Sequence, residues 1–170
     1  AGCETAHQMR ESLTDTGTDA RRATDLLRAF KQDATKRRYA SWDELVDYCM
    51  YSAAPVGQYL LDLHGGSTDG YEPSDALCIA LQVINHLQDC QEDYREMDRV
   101  YVPEDMLAEA GARVEDLDRP HASPALRKVL DQMLDRTDAL LTIADRLPAG
   151  LRSKRLAMES ATIVNIAHAL

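Results

Sequence analysis

An all-α fold is predicted for this 170-residue sequence, with its helices packed as a bundle. Apolar residues recur at helical spacing in every long segment, whereas no strand-like alternation lasts more than a few residues. Serine, proline and glycine stand where such helices would begin or end. A chain of this length buries one proper core, so residues 1–170 are expected to form a single helical domain.

The helices of the first half are predicted from apolar spacing and from one capping box. Apolar side chains at positions 23, 26, 27, 30 and 34 follow the i, i+3, i+4, i+7 pattern of a helix that ends near Thr35. Ser41 and Glu44 have the spacing of a capping box. They predict a helix that runs to Leu63 with a kink at Pro55, because proline removes a backbone hydrogen bond.

The helices of the second half are predicted from the prolines, glycines and serine at their ends. They are expected over about residues 73–93, 103–111, 123–147 and from 152 onward. Ser123 is the predicted N-cap of the third of these helices, and Pro124 is its first helical residue. Residues 148–150 are expected to break the chain between the last two helices.

Charge and hydropathy exclude several classes of function. The net charge of −10 and the pI near 4.9 argue against a nucleic-acid surface and against nonspecific binding to anionic lipid, because both depend on clustered Lys and Arg. No apolar run approaches the roughly 20 residues of a membrane span, and no signal peptide is visible. A cytoplasmic protein without a transmembrane segment is therefore expected, with peripheral membrane association and oligomeric state left open.

The four cysteines give no sign of a metal site or a redox motif. Cys3, Cys49, Cys78 and Cys90 have neither CxxC nor zinc-like spacing. Three of them lie in apolar helical contexts, so buried free thiols in a reducing compartment are expected.

Both ends of the sequence predict that it is part of a longer protein. The chain begins at Ala1 without an initiator methionine, and helical spacing is already present within the first residues. It ends at Leu170 inside an apolar helical pattern that has no stop signal.

Residues 81–93 are the most informative segment of the chain. They carry Asn85, Asp89 and Asp93 at intervals of four, and on one continuous helix such steps drift by only about 40° each. The three oxygen-bearing side chains therefore share one face, while the preceding residues are apolar nearly all round, as in a buried helix. Carboxylates on such a helix are costly unless Mg²⁺ or another hard cation compensates them. A solvated acidic face is the alternative.

A patch of small residues and a tyrosine lie on the preceding predicted helix. Ala53, Ala54 and Gly57 make a smooth wall, which suits either close helix packing or a slot for a long apolar ligand. Tyr48 suits either a core position or a polar, electron-rich ring that faces a cation.

Two residues beside the acidic stripe receive different predictions. Arg99 follows the stripe closely, and its guanidinium suits the oxygens of a metal-bound phosphate. His86 is next to Asn85 but points roughly 100° away from it on a helix, so a core or packing role is expected.

Two separate blocks of the sequence resemble the squalene/phytoene synthase family. The first block, residues 33–57, contains the runs DATKRRY, WDEL and YCMYSAAPVG. The second, residues 81–103, contains LQVINHLQDCQED and DRVYVP and is similar to the family's second aspartate-rich motif. Order and spacing agree from about Asp19 to the C-terminus. The runs SAAPVG and NHLQDC are most similar to the branch that forms hydroxysqualene in the hopanoid pathway.

The resemblance implies the helical bundle of class I isoprenoid (trans-prenyl) synthases, and it also implies residue roles. Magnesium binding would fall on Asn85, Asp89, Asp93 and Glu92. Tyr48 would be the catalytic tyrosine that steers the carbocation steps, and Arg99 would contact the isoprenoid diphosphate substrate. The apolar substrate channel would be lined by Gln82, Ala53, Val56 and Gly57.

The implied reaction is ionisation of presqualene diphosphate, assisted by Mg²⁺, and capture of the cation by water to give hydroxysqualene. Family members typically have arginine immediately before the first aspartate of this motif, whereas this chain has Gln88. Gln88 favours hydroxysqualene formation over the alternative, in which head-to-head prenyl transfer gives presqualene diphosphate, squalene or phytoene.

The family's first aspartate-rich motif is not found in residues 1–33, where Asp15 and Asp19 flank a glycine turn. The bundle is therefore expected to be incomplete at its N-terminus, and the chain is expected to hold half of a magnesium site and to be inactive alone. The alternative of another class is a non-catalytic helical fragment or assembly module.

Overall fold

The computed structural model describes residues 3–170, so the prediction drawn from Ala1 lies outside the described residues. Within them the chain forms ten α-helices and one short 3₁₀ helix, with no β-strand. The helices are α1 (Glu4–Thr16), α2 (Arg21–Asp33), α3 (Trp42–Ser52), α4 (Ala54–Leu63), α5 (Glu72–Gln88), α6 (Cys90–Met97), α7 (Glu104–Ala110), α8 (Pro124–Ala144), α9 (Leu147–Gly150) and α10 (Lys154–Ala167), and the 3₁₀ helix is Val114–Asp118. The all-α prediction is confirmed. None of the described helices is long and apolar enough to cross a bilayer.

Several helix ends follow from a single residue. The Ser41 hydroxyl accepts a hydrogen bond from the Glu44 backbone N–H at 3.2 Å, which confirms the predicted cap of α3. The Glu44 carboxylate reaches one residue further than a capping box requires, because it accepts from the N–H of Ala40 at 2.5 Å. At α8 the Ser123 hydroxyl accepts from the Leu126 N–H at 3.1 Å, as predicted. Gly111 ends α7 with φ of 72°, a left-handed conformation that glycine adopts without strain.

Helix α5 lies at the centre of the bundle, where it packs against α3, α4, α8 and α10. One cluster of buried side chains joins Val83 to Leu45 and Met133, and a second surrounds Leu77 and Leu141. Each fully buried aliphatic side chain contributes about 1.5–3 kcal/mol through removal from water. The prediction that this helix is buried is confirmed, and the burial of its apolar faces leaves a single polar stripe free to face outward.

The predicted kinked helix around Pro55 is wrong, because the chain forms two helices there. Helix α3 ends at Ser52, and Ala53 lies outside helical geometry with φ of −127° and ψ of −49°. Pro55 then falls in the first turn of α4, where its missing N–H has no helical partner to lose. The direction of the chain therefore changes at Ala53 rather than at the proline.

The predicted continuous helix through Asp93 is also wrong, because it divides at Asp89. Asp89 has φ of −96° and ψ of 2°, and α6 begins at the next residue. Two hydrogen bonds nevertheless span the division: the Asp89 N–H donates to the Asn85 carbonyl at 3.0 Å, and the Asp93 N–H donates to the Asp89 carbonyl at 2.8 Å. These i to i−4 bonds keep the three stripe residues in helical register.

The chain after α8 also departs from the prediction. Helix α8 ends at Ala144 rather than Leu147, and residues 147–150 form the short helix α9 instead of a plain break. Pro148 occupies the first turn of α9, where proline is tolerated. Helix α10 begins two residues later than predicted, because the Ser153 hydroxyl caps it by accepting from the Leu156 N–H at 3.3 Å.

The cysteines are free thiols, as predicted. Cys49 is buried, and this burial raises the pKa of its thiol to about 12. Cys78 and Cys90 are half-buried, and Cys3 is exposed. The thiol of Cys49 is therefore kept protonated and unreactive at neutral pH.

Candidate active site

The acidic stripe lies at the end of α5 and the start of α6. Asn85, Asp89 and Glu92 are exposed, and Asp93 is half-buried. Within residues 3–170 their side chains take part in no hydrogen bond or ion pair, so their oxygen atoms are available to a ligand. Oxygen donors of this kind suit a hard cation such as Mg²⁺. In the same described residues no three His, Cys, Asp or Glu side chains gather as a complete metal site.

The electrostatics of Asp93 favour a nearby cation. Partial burial raises the pKa of the Asp93 carboxyl, and the negative charge of Asp89 raises it further. The positive charge of Arg99 opposes these two effects, and Glu92 adds to them. A cation bound between the carboxylates would relieve this repulsion. In charge and in chemistry these oxygen donors are therefore compatible with a divalent cation.

Replacement of Asp93 by asparagine is expected to raise the melting temperature of the metal-free protein at pH 7. A raised native-state pKa means that the folded protein binds this proton more tightly than the unfolded chain, so the ionised carboxylate lowers stability above the native-state pKa. The gain should disappear at about pH 3, below the usual Asp pKa of about 3.9, where both states are largely protonated. Thermal unfolding in EDTA at the two pH values measures the effect.

Asp135 on α8 offers a matched control for this measurement. It is exposed, and within the described residues it forms no ion pair. Asp135→Asn should change the melting temperature much less than Asp93→Asn at pH 7. An Asp93→Asn protein that is no more stable than the wild type at pH 7 would show that the repulsion is absent.

A groove runs beside the stripe along α4 and α5. It consists of two adjoining cavities of 350 and 320 Å³ that share Val56, Cys78 and Leu81. The first cavity is lined by Ser52, Ala53, Val56, Cys78, Leu81, Gln82, Ile84, Asn85, Gln88 and Leu170. The second extends the groove to α9 and α10. The structure therefore brings three of the predicted channel residues together with one predicted magnesium ligand.

Gly57, the fourth predicted channel residue, has a packing role. It borders the second cavity, and α4 also approaches α5 closely at this residue. A Cβ at this position would lie 2.5 Å from the Ser74 Oγ and 2.7 Å from the Cys78 Sγ. Gly57 therefore permits close helix packing and also borders the groove.

Tyr48 lies in a buried cluster of four rings rather than in the wall of either cavity. It is 4% exposed, and its ring centroid lies 5.4 Å from Tyr39, 5.7 Å from Tyr101 and 6.1 Å from His86. Burial raises the pKa of the Tyr48 hydroxyl, and the neighbouring Tyr101 raises it further. Its phenol therefore stays protonated at any physiological pH.

Arg99 is brought back beside the stripe by the turn that ends α6. Asp98 adopts a left-handed conformation with φ of 51°, and its backbone and carboxylate accept hydrogen bonds from Arg38. The Arg99 N–H donates to the Asp93 carbonyl at 3.1 Å, which completes the helix end. These contacts fix the position of the Arg99 side chain relative to Asp93.

The Arg99 guanidinium connects the stripe to residues that sequence reasoning did not identify as site residues. Its Nη2 donates to the Asp33 carbonyl at 2.8 Å, and its Nη1 donates to the Tyr101 hydroxyl at 3.4 Å. Within the described residues the buried Arg99 Nε, Asp33 Oδ1 and Tyr39 hydroxyl have no hydrogen-bond partner. Buried polar atoms are rarely left unsatisfied, so this cluster has capacity for a ligand or water. Asp33 and Tyr101 lie in the two sequence blocks, residues 33–57 and 81–103, that resemble the squalene/phytoene synthase family. This position was the only indication in the sequence that they belong to the site.

His86 has the packing role predicted for it. It is 7% exposed, and its ring stacks on Tyr101 with 3.5 Å between centroids and 14° between planes. Burial lowers the pKa of His86 to about 3, with a further lowering from the charge of Arg99, so its imidazole is neutral. Its Nε2 lies 3.2 Å from the Nε2 of Gln82, one turn earlier on α5.

The family model for squalene/phytoene synthase matches residues 4–170 of the chain. The chain belongs to the squalene/phytoene synthase family. This membership confirms the resemblance seen in the two sequence blocks.

Individual squalene/phytoene synthase relatives match almost the whole chain. The hydroxysqualene synthase of Rhodopseudomonas palustris is 49% identical over 158 residues, which cover 93% of this chain and 54% of the relative. That of Zymomonas mobilis is 44% identical, covering 95% of this chain and 55% of the relative. The crystal structure of squalene synthase HpnC from Alicyclobacillus acidocaldarius superposes with a TM-score of 0.88 at 31% identity, covering 95% of this chain and 61% of that one. The isoprenoid synthase fold is confirmed, and the chain spans about half the length of the curated relatives it matches.

Proposed function

We propose that the protein containing this chain converts presqualene diphosphate and water into hydroxysqualene and diphosphate. Its likeness to two hydroxysqualene synthases over more than nine-tenths of the chain carries the proposal. The carboxylate stripe beside an apolar groove supports it, because the substrate joins a charged diphosphate to a long hydrocarbon. The protein is proposed to act in the cytoplasm, as the sequence suggested.

The stripe is proposed to bind the diphosphate end of the substrate. Asn85, Asp89 and Asp93, with Glu92 beside them, would hold Mg²⁺. When bound, this ion would neutralise the diphosphate and make it a better leaving group. Arg99 follows the end of α6, where its N–H donates to the Asp93 carbonyl, and its guanidinium is proposed to contact the diphosphate there.

The groove is proposed to hold the hydrocarbon end. Its shared residues Val56 and Leu81 give it apolar walls that would keep bulk water away from the cation formed when diphosphate leaves. Tyr48 lies outside the walls of both cavities, so its proposed effect on that cation is through the dipoles of the buried ring cluster and not through direct contact. Because its hydroxyl stays protonated, Tyr48 contributes a dipole rather than a charge.

Head-to-head prenyl transfer is the second candidate, and Gln88 weighs against it. Gln88 lines the same cavity as Asn85, at the position where the resemblance implies arginine in squalene and phytoene synthases. An uncharged amide at this position offers one cationic phosphate contact fewer. A reaction that must bind two prenyl diphosphates is therefore less well supported than one that binds a single diphosphate.

Product analysis with the natural full-length protein tests the proposal. The protein is incubated with Mg²⁺ and, in separate reactions, with presqualene diphosphate, farnesyl diphosphate or geranylgeranyl diphosphate. Hydroxysqualene from the first substrate is the expected result. Presqualene diphosphate, squalene or phytoene from the other two would instead establish prenyl transfer, and no product from any of them would support a non-catalytic module. The 170-residue chain, assayed in parallel, is expected to be inactive.

A further inference from the structure

The groove and the buried ring cluster are connected by one pair of polar side chains on α5. Gln82 lines the groove in the same cavity as Asn85. Its side-chain nitrogen lies 3.2 Å from the Nε2 of His86, which belongs to the ring cluster. The two residues are four apart on one helix, so the contact is local and does not depend on a movable loop.

The ring of His86 is held on one face by the ring of Tyr101. It is almost fully buried, and the face of Tyr101 covers it at a centroid distance of 3.5 Å. Tilting the imidazole would break this stack, whereas a half-turn about the Cβ–Cγ bond would keep the stack but place Cε1 instead of Nε2 opposite Gln82 and lose the contact. The ring nitrogen that faces Gln82 is therefore held in place, and because an amide nitrogen can only donate, this ring nitrogen accepts the hydrogen bond from the Gln82 amide.

The hydrogen bond orients the other end of the amide. The nitrogen and oxygen of a planar amide point in different directions, so a nitrogen bound to His86 turns the Gln82 carbonyl oxygen away from that ring. Within residues 3–170 this oxygen accepts no hydrogen bond. Since Gln82 lines the groove, this oxygen is an unused acceptor on a residue of its wall, in a cavity that Ser52, Asn85 and Gln88 also line.

We propose that His86 is a positioning residue that fixes the Gln82 amide, so that the Gln82 carbonyl oxygen holds the water that captures the substrate cation. This inference rests on the proposed function. In the reaction the bond between carbon and diphosphate oxygen breaks, and its electron pair leaves with diphosphate. A lone pair of the water oxygen then forms the new carbon–oxygen bond, and the surplus proton passes to the released diphosphate. A water that donates one hydrogen to the fixed Gln82 carbonyl has an oxygen lone pair that points away from that carbonyl and toward the groove.

Two substitutions at position 86 distinguish loss of the hydrogen-bond acceptor from loss of ring stacking on Tyr101. His86→Phe keeps an aromatic ring against Tyr101 and removes the acceptor, whereas His86→Gln keeps an acceptor of similar reach and removes the aromatic ring. The measured quantity is the ratio of hydroxysqualene formed to diphosphate released by the natural full-length protein. His86→Phe is expected to lower this ratio by about three- to tenfold, the range that one hydrogen bond supplies. His86→Gln should restore most of it.

Gln82→Leu and the double variant Gln82→Leu/His86→Phe complete a double-mutant cycle, which tests whether His86 acts through Gln82. If His86 acts only through Gln82, the double variant has the same product ratio as Gln82→Leu. A further loss in the double variant, or a wild-type ratio in His86→Phe, would overturn the inference. These outcomes differ from failure of the proposed function, in which the wild-type protein itself forms no hydroxysqualene.

The nitrogen NMR spectrum of the wild-type protein gives a readout that does not depend on any variant. The His86 Nε2 is expected at the chemical shift of an unprotonated imidazole nitrogen. A protonated Nε2 would contradict the inference, because the Gln82 oxygen would then face His86 and the amide nitrogen would face the groove. This spectrum, with Gln82→Leu, decides the question even if His86→Phe does not fold.

Discussion

Replacement of Asp89 by alanine in the full-length protein is expected to lower kcat/KM for diphosphate release by about 100-fold or more. Asp89 is the middle residue of the stripe, and hydrogen bonds join its backbone to Asn85 and Asp93. A metal ion at a leaving group contributes several kcal/mol, and each 1.36 kcal/mol corresponds to a factor of about ten in rate. Release of diphosphate from presqualene diphosphate, measured at several Mg²⁺ concentrations, tests this expectation.

The lower kcat/KM of Asp89→Ala should result from the loss of a metal ligand and not from unfolding of the protein. The Asp89 side chain is exposed, and among the described residues it makes no hydrogen bond or ion pair that alanine would remove. The melting temperature of Asp89→Ala should therefore stay close to that of the wild type. Asp135→Ala, at an exposed position on α8, is the matched control and should keep wild-type turnover. Undiminished turnover by Asp89→Ala at limiting Mg²⁺ would contradict the proposed role of the stripe.

Helix ends could be predicted where one residue decides them locally. Ser41 and Ser123 cap the helices that they were expected to cap, and Gly111 ends α7. Pro55 predicted a disturbance of the helix but not a complete division two residues earlier at Ala53, and the division at Asp89 could not be predicted because apolar spacing continues through that position. At these two points the packing of separate helices onto the bundle overrides local propensity.

The stripe could be predicted because its members belong to one stretch of chain. The period of a helix was enough to predict that Asn85, Asp89 and Asp93 share one face. Two backbone hydrogen bonds preserve that period across the division at Asp89, which was not predicted. The ring cluster and its charged neighbours are different. Tyr101 meets His86 from a loop after α6, and Asp33 meets Arg99 across 66 residues. Such contacts depend on how helices pack, so periodicity within one segment carries no signal for them.

Gly57 shows how one residue can satisfy two interpretations of the same sequence pattern. The small residues of α4 suited either close packing or a slot for an apolar ligand. The structure places α5 against Gly57 and opens a cavity along the same helix at Val56. The tight approach of the two helices at Gly57 therefore also sets the width of the groove beside it.

Gly57→Ala is expected to lower the free energy of unfolding by about 1–3 kcal/mol, the usual range for overpacking a tight contact. The added Cβ would lie 2.5 Å from the Ser74 Oγ, and contacts below 3.0 Å require something to move. Ser74 is 4% exposed and lies in the first part of α5, so either its hydroxyl and the Cys78 thiol rotate within packed surroundings or α4 shifts. Urea unfolding of the full-length protein and of Gly57→Ala measures the loss.

Removing the two opposing atoms should recover most of this stability. In the triple variant Gly57→Ala/Ser74→Ala/Cys78→Ala, the hydroxyl and the thiol that face position 57 are absent, and the nearest remaining side-chain atom, the Ser74 Cβ position, lies at 3.8 Å. Ser74→Ala/Cys78→Ala with Gly57 retained is the matched reference. Since alanine is favoured over glycine by about 1 kcal/mol within a helix, the triple variant should be at least as stable as this reference. A Gly57→Ala protein as stable as the wild type would mean that the Ser74 hydroxyl, the Cys78 thiol or α4 moves at no cost, so the contact at Gly57 would not fix the width of the groove.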